Sequence, residues 1–224
     1  MAAPEVNMEN LFKPANSALD AGNYREAYDC FTKILAYDSE NYEASLGKGI
    51  SAGWLSTIAH DRIAEATQGF IKAISNSPED KKEEVIKHGL SSIINLISTY
   101  YEQLKAYVED ALLRANDPVT NSRVRADVIS DLGDKYYKRL RDLVIELNGL
   151  SPLLPDSESI KLKKMIVFLC KEGINYKKLN PMQHEISLLR NLIEVCDYGI
   201  KEYELSCKLK EENPVGGKES IAHS

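Results

Sequence analysis

From Ile86 through Leu90, Ile93, Ile97, Tyr100, Leu104, Tyr107 and Ala111, large or apolar side chains recur in alternating steps of four and three residues. That spacing is a heptad seam, and held over so many turns it predicts a long, straight helix. The same alternation runs from Met182 through Ile186, Leu189, Ile193, Cys196, Ile200, Tyr203 and Cys207. Asn180 stands where a helix N-cap belongs, and Pro181 falls in the first turn, where a missing N–H costs nothing. Between the two seams, Val124, Val128, Leu132, Tyr136, Leu140, Leu143 and Leu147 make one amphipathic stripe. Ile160, Leu162, Met165, Ile166, Leu169 and Gly173 make a shorter one.

Prolines punctuate this pattern instead of interrupting it. Pro78, Pro118, Pro152, Pro155, Pro181 and Pro214 all lie between periodic stretches, as residues that end or begin helices should. No run alternates with period two, and no Asn-Gly or Asp-Gly links β-branched segments. The chain is therefore expected to be all-α, with four long helices after Pro78 joined by short turns and stacked antiparallel. The seams are expected to pack within the chain. The alternative is self-association through an exposed seam, which Tyr100, Tyr107 and Tyr203 disfavour, because tight two-stranded coils prefer Ile, Val and Leu there.

The first eighty residues contain an internal repeat. Ala27-x3-Phe31-x2-Ile34-Leu35 returns 39 residues later as Ala66-x3-Phe70-x2-Ala73-Ile74. Small Ala27 and Ala66 would let two helices of a hairpin approach closely, while Phe31 and Phe70 would fill the space toward the next hairpin. Upstream of the first copy, Gly22 suits a left-handed turn that ends one helix, and Tyr24 would pack into the hairpin. With Gly-x-Tyr-x2-Ala-x3-Phe, residues 10–78 resemble the tetratricopeptide repeat family. Asn41-Tyr42-Glu43-Ala44 followed by Leu46-Gly47-Lys48-Gly49 looks like the start of a second repeat.

The resemblance has departures. An offset of 39 exceeds the family's usual period of about 34 residues, so extra residues are expected near 56–62, where Gly-x-Tyr is absent. Pro14 suggests a first helix that starts near Lys13. Ile129-x2-Leu132-Gly133-x2-Tyr136 echoes the family's first-helix pattern, yet no second helix of the pattern follows it. Two hairpins need a neighbour to close their core, and the long helices are the expected cap.

The resemblance implies a groove, lined by first helices, that holds a peptide or helix of another protein. Its lining here would be Glu9, Phe12, Asn16, Leu19 and Asp20, then Glu43, Leu46 and Ile50. One device of the family is a Lys and Asn clamp on a partner's C-terminal carboxylate. Asn16 matches its first Asn, but Phe12 replaces the Lys and Gly47 the later Asn, so the clamp is incomplete. Apolar residues rimmed by acids suit an amphipathic or basic segment.

Composition narrows the function classes. With 43% hydrophobic and 28% charged residues the chain is neither disordered nor membrane-spanning, and no membrane partner is expected. Lys plus Arg total 28 against 34 Asp plus Glu, so a net charge of -6 opposes non-specific attraction to nucleic acid. Two local clusters run against that balance. One is Lys135-Tyr136-Tyr137-Lys138-Arg139-Leu140-Arg141; the other is a stripe of Lys161, Lys164, Lys171 and Lys178 sharing one helix face. A phosphate-binding surface would look like this, although a solvated face balanced by acids on neighbouring helices is the plainer expectation.

Four cysteines without a CxxC pair read as free thiols, and residues 1–10 lack the apolar run of a signal, so a cytoplasmic location is expected. His60, His88, His184 and His223 are scattered, and His184-Glu185 lacks the second His of a zinc helix, so no metal is expected. With no phosphate loop and no nucleophile elbow, neither an enzyme nor a cofactor is expected. The expected organisation is a repeat-like part over residues 1–78, a long-helix bundle over 79–210 and a disordered tail over 211–224. The function implied is partner binding as an adaptor, assembly scaffold or chaperone-like holder. The alternatives are nucleic-acid association through the lysine stripe and structural self-assembly through the long helices.

Overall fold

The computed structural model describes residues 7–117, 121–176, 179 and 183–212, and the periodic stretches within them are helices. Four short helices come first: α1 (Met8–Asp20), α2 (Tyr24–Tyr37), α3 (Tyr42–Trp54) and α4 (Ile63–Asn76). Four longer ones follow: α5 (Glu79–Ala115), α6 (Ser122–Leu150), α7 (Asp156–Asn175) and α8 (Gln183–Glu212), with a 3-10 turn at Ser151–Leu153. The architecture is all-α, helix-turn-helix pairs running into a bundle, with no strand among the described residues. Asn180 and Pro181, read as the start of α8, and most of the expected tail lie outside the described residues.

Local chemistry sets the boundaries. The Asn7 side chain accepts a hydrogen bond from the Asn10 N–H, and that of Asn41 accepts from Ala44 at 3.0 Å, so each caps a helix. Pro78 and Pro155 immediately precede α5 and α7, whose first turns carry Glu79 and Asp80, and Asp156 and Glu158. Those carboxylates complement the positive end of the helix dipole. Gly22, at a φ of 73°, makes the left-handed turn after α1.

One boundary differs from expectation. Helix α1 starts at Met8 and not near Lys13, and Pro14 lies inside it. The Asn7 cap favours an earlier start, and the carbonyl that Pro14 leaves without a donor belongs to exposed Asn10, which is open to solvent, so the lost bond costs little. The extra residues of the second pair form the connection 55–62 between α3 and α4, against the three residues, 21–23, between α1 and α2.

The pairs interlock through aromatic rings set on glycines. Phe31 of α2 lies against Gly47 of α3, where an added Cβ would stand 2.3 Å from its Cζ. Phe70 of α4 lies against Gly89 of α5, where an added Cβ would stand 2.4 Å from its ring. Both rings are buried, as are Ala27 and Ala66. Tyr24 stacks on Trp54 at 5.5 Å, which ties the start of α2 to the end of α3.

Helix α5 is the spine of the molecule. At 37 residues it is about 55 Å long, and one core runs along it from Leu46 and Phe70 to Leu169, Leu189 and Cys196. Its seam is buried from Ile86 to Leu104 and so packs within the chain, but Tyr107 emerges at 41% exposure while Val108 and Leu112 turn inward. A straight helix drifts by roughly 20° per heptad against a strict seven-residue repeat, which moves the inner line over by one residue. In α8, Leu189 and Cys196 are buried and Ile186, Ile193, Ile200, Tyr203 and Cys207 are half-buried, so that seam too faces the bundle.

The bundle core is rich in tyrosine. The hydroxyls of Tyr101 and Tyr136 share a hydrogen bond of 3.2 Å, Tyr136 stacks on Tyr176 at 5.0 Å, and Tyr137 donates to the Gly173 carbonyl at 3.2 Å. Tyr136 and Tyr137 are thus core residues and no platform for stacked bases. Burial pushes the phenols of Tyr101 and Tyr137 up to about 12 and that of Tyr136 higher still.

Two outcomes follow. Gly47→Ala forces a methyl into the Phe31 ring and should cost about 1–3 kcal/mol, whereas Gly149→Ala, with nothing within 4 Å, should gain roughly 0.5–1 kcal/mol; urea unfolding measures both. The raised phenols favour the protonated form only in the folded state, so their contribution is intact below the unfolded value near 10. It is lost as pH climbs from there toward about 12, and denaturant midpoints taken across that window should fall steadily.

Candidate functional site

Because Phe31 and Phe70 seat α3 and α5 on their predecessors in the same way, α1, α3 and the first turns of α5 stand side by side. Between them lies a depression of 340 Å³. Helix α1 contributes Asn16 and Leu19, α3 contributes Glu43, Leu46 and Ile50, and the Phe31 ring shows between them. The first turns of α5 add Lys81, Glu84, Val85 and His88.

Of the eight residues expected to line a groove, Asn16, Leu19, Glu43, Leu46 and Ile50 come together here. Glu9 and Asp20 are exposed on α1 and lie outside the depression. Phe12 is turned inward, edge-on to Phe31 at 6.5 Å, and belongs to the small core of α1, α2 and α3. Leu46 is 8% exposed and joins the main core, so it forms floor more than rim.

The contribution of α5 was not expected: the long helices were read as a cap on the hairpins, with none of their residues in the groove. A signal for it exists. Gly47 has a counterpart in Gly89, and each glycine receives the phenylalanine of the preceding helix. Tyr42, which also lines the depression, falls at the first turn of α3 next to Glu43.

The rim is electrostatically mixed with an acidic side. The Tyr42 hydroxyl donates to Glu43 at 2.9 Å. Burial, that hydrogen bond and the nearby charges of Glu43, Glu84 and Asp80 together hold the Tyr42 phenol above its ordinary value. Lys81 reaches Glu84 at 3.5 Å across exposed surface, a pair worth little in water.

Two members of the lysine stripe, Lys161 and Lys164, lie beside acids. Both oxygens of Glu158, itself buried, receive Lys161 at 2.9 and 3.0 Å, and Lys164 faces Glu204 of α8 at 3.7 Å. Lys171 is exposed, and Lys178 lies outside the described residues. In the other basic cluster, Lys135 pairs with Asp131 and Arg139 with Asp61, both at 2.7 Å, and Arg141 with Glu185 at 3.3 Å. On α8, Val195, Tyr198, Leu205 and Leu209 are exposed on the side away from the bundle.

Among the described residues no group of three or more His, Cys, Asp or Glu side chains could hold a metal ion. No described helix is long and apolar enough to cross a membrane. Compared with protein-family models, with curated proteins and with solved structures, the chain matches none. The arrangement of α1–α4 resembles helical-hairpin repeats by its own geometry.

Burial is the main reason the Tyr42 phenol is raised, and Glu43→Gln removes the nearest of the charges that add to it, so the Tyr42 phenol should titrate at a lower pH in the variant. Carbon NMR of ring-labelled tyrosine measures it, and an unmoved titration would show that Glu43 does not govern this rim.

Proposed function

We propose that the chain is a non-enzymatic protein-interaction module of the tetratricopeptide type, working as an adaptor, assembly scaffold or chaperone-like holder. It receives a basic, amphipathic peptide or helix of another protein across the depression of α1, α3 and α5. The observation that supports this most is the convergence of Leu19, Leu46, Ile50 and Val85, from three helices, beneath Glu43 and Glu84. Apolar anchors spaced along a helix would meet that floor, and cationic neighbours would meet the acids. A cytoplasmic setting suits the four unpaired cysteines.

Phe12→Glu or Leu46→Glu would break the core instead of testing the surface, because both side chains pack inward. The exposed pair Glu43→Arg and Glu84→Arg tests it cleanly. Peptides selected by display on the full-length protein should be basic and amphipathic. Their affinity should fall roughly tenfold or more in the double variant, with an unchanged circular dichroism spectrum. Lys164→Glu with Lys171→Glu, both exposed on α7, should leave binding as it was. Equal binding by the Glu43 and Glu84 variant would remove the depression as the site.

A further inference from the structure

A second concavity, of 580 Å³, lies further along α5, where α6 and the connection 55–62 meet its later turns. Its floor is buried and apolar, formed by Leu104 and Val108 of α5 and the ring of Tyr136. Ile58 and Ala59 close it from the connection, and Tyr107 stands at its edge, at the point where the α5 seam turns outward. Lys135, Lys138 and Arg139, spaced to share one face of α6, also line it.

The cations differ in what they already hold. Lys135 has Asp131, and Arg139 has Asp61 and the Ile58 carbonyl, at 3.3 Å, so Arg139 pins the connection to α6. Among the described residues no acid pairs with Lys138, which is exposed. Near the Asp61 and Arg139 pair, the buried Tyr100 hydroxyl has no hydrogen-bond partner. In a chain of net charge -6, an apolar hollow with a surplus cation at its rim is complementary to one kind of ligand.

We propose that this hollow binds a small amphiphilic anion, an alkyl chain ending in a carboxylate or phosphate. The chain lies on Leu104, Val108 and Tyr136, and the head meets Lys138. The volume falls within the roughly 300–1,000 Å³ of small-molecule sites, and the separation of apolar floor from cationic rim matches a ligand with two unlike ends. The site shares no residue with the depression of α1, α3 and α5, so it stands or falls independently of that reading.

Calorimetric titration of the full-length protein with decanoate and with decyl phosphate tests it, with decanol as the neutral control. Lys138→Glu removes the head contact, and Ala59→Trp fills the hollow from an exposed position without touching the core. One saturable site is expected for at least one anion, weakened roughly tenfold or more by each variant and by loss of the charged head. The tighter of the two anions identifies the head group. Lys138→Gln, which cannot repel, should show a smaller loss than Lys138→Glu, and thermal melts confirm that each variant is folded. No saturable binding of either anion up to about 1 mM, or binding that both Lys138→Glu and Ala59→Trp leave unchanged, would overturn the proposal.

Discussion

The insertion of Phe31 onto Gly47, and of Phe70 onto Gly89, is the constraint on which the rest of the structure depends. An aromatic ring can lie directly on a helix backbone only where no Cβ stands in the way, and a close-packed interior cannot absorb the difference. Each such contact sets how deeply one helix sits on its predecessor. Because the two contacts are equivalent, α3 and α5 are placed by one rule, and the first turns of α5 join α1 and α3 along the same depression. A helix that begins as a member of the repeat therefore continues as the spine of the bundle, with one core along its length.

That double use of α5 has a geometric consequence. A helix of 37 residues cannot keep a strict heptad seam facing one way without supercoiling, and α5 hands its inner line from Leu104 to Val108 and Leu112. Where the line shifts, Tyr107 is left at the surface and the packing of α6 against α5 opens into the second hollow. The long connection after α3 partly covers it. There Asp61 accepts from the Ile63 N–H at 2.9 Å, starting α4, and also takes Arg139 of α6 at 2.7 Å. Ser56 accepts from the Arg62 N–H at 2.8 Å, so the connection is held by its own polar groups.

Much of the fold was legible because helical periodicity survives in a single sequence. The stripe residues of α5 up to Leu104 and of α6 from Leu132 to Leu147 are all buried, although neighbours outside the stripes, such as Leu96, Tyr101, Tyr137 and Val144, are buried with them and Val124 at the start of the α6 stripe is exposed. Ala27, Phe31, Ala66 and Phe70 were legible as a repeat because each has one steric purpose. Pro14 misled, since a proline reads as a helix start only when nothing upstream nucleates the helix, and Asn7 does so. The setting of Phe12 was hidden for a different reason. Helical spacing tells that a residue shares a face with Asn16 and Leu19, but whether that face meets solvent or Phe31 depends on where α2 crosses. The share of α5 in the depression was hidden because Gly89 acquires meaning only once Phe70 is known to approach it.

Charge was the least legible property, because its effect depends on partners distant in sequence. Runs of lysine on α6 and α7 look like basic surfaces until Lys161, Lys164, Lys135, Arg139 and Arg141 are found beside acids. Exposed members of such pairs contribute little to stability, but each cancels a field that a polyanion would otherwise follow inward. Glu158 and Glu185 are different, since both are buried, and losing Lys161 or Arg141 would leave a carboxylate without the cation that makes its burial tolerable. The pairing thus serves the bundle first. What is left over along α5 is a mixed rim with Glu43 and Glu84 on its acidic side at one end and, near the other, exposed Lys138 of α6, which has no acid partner among the described residues.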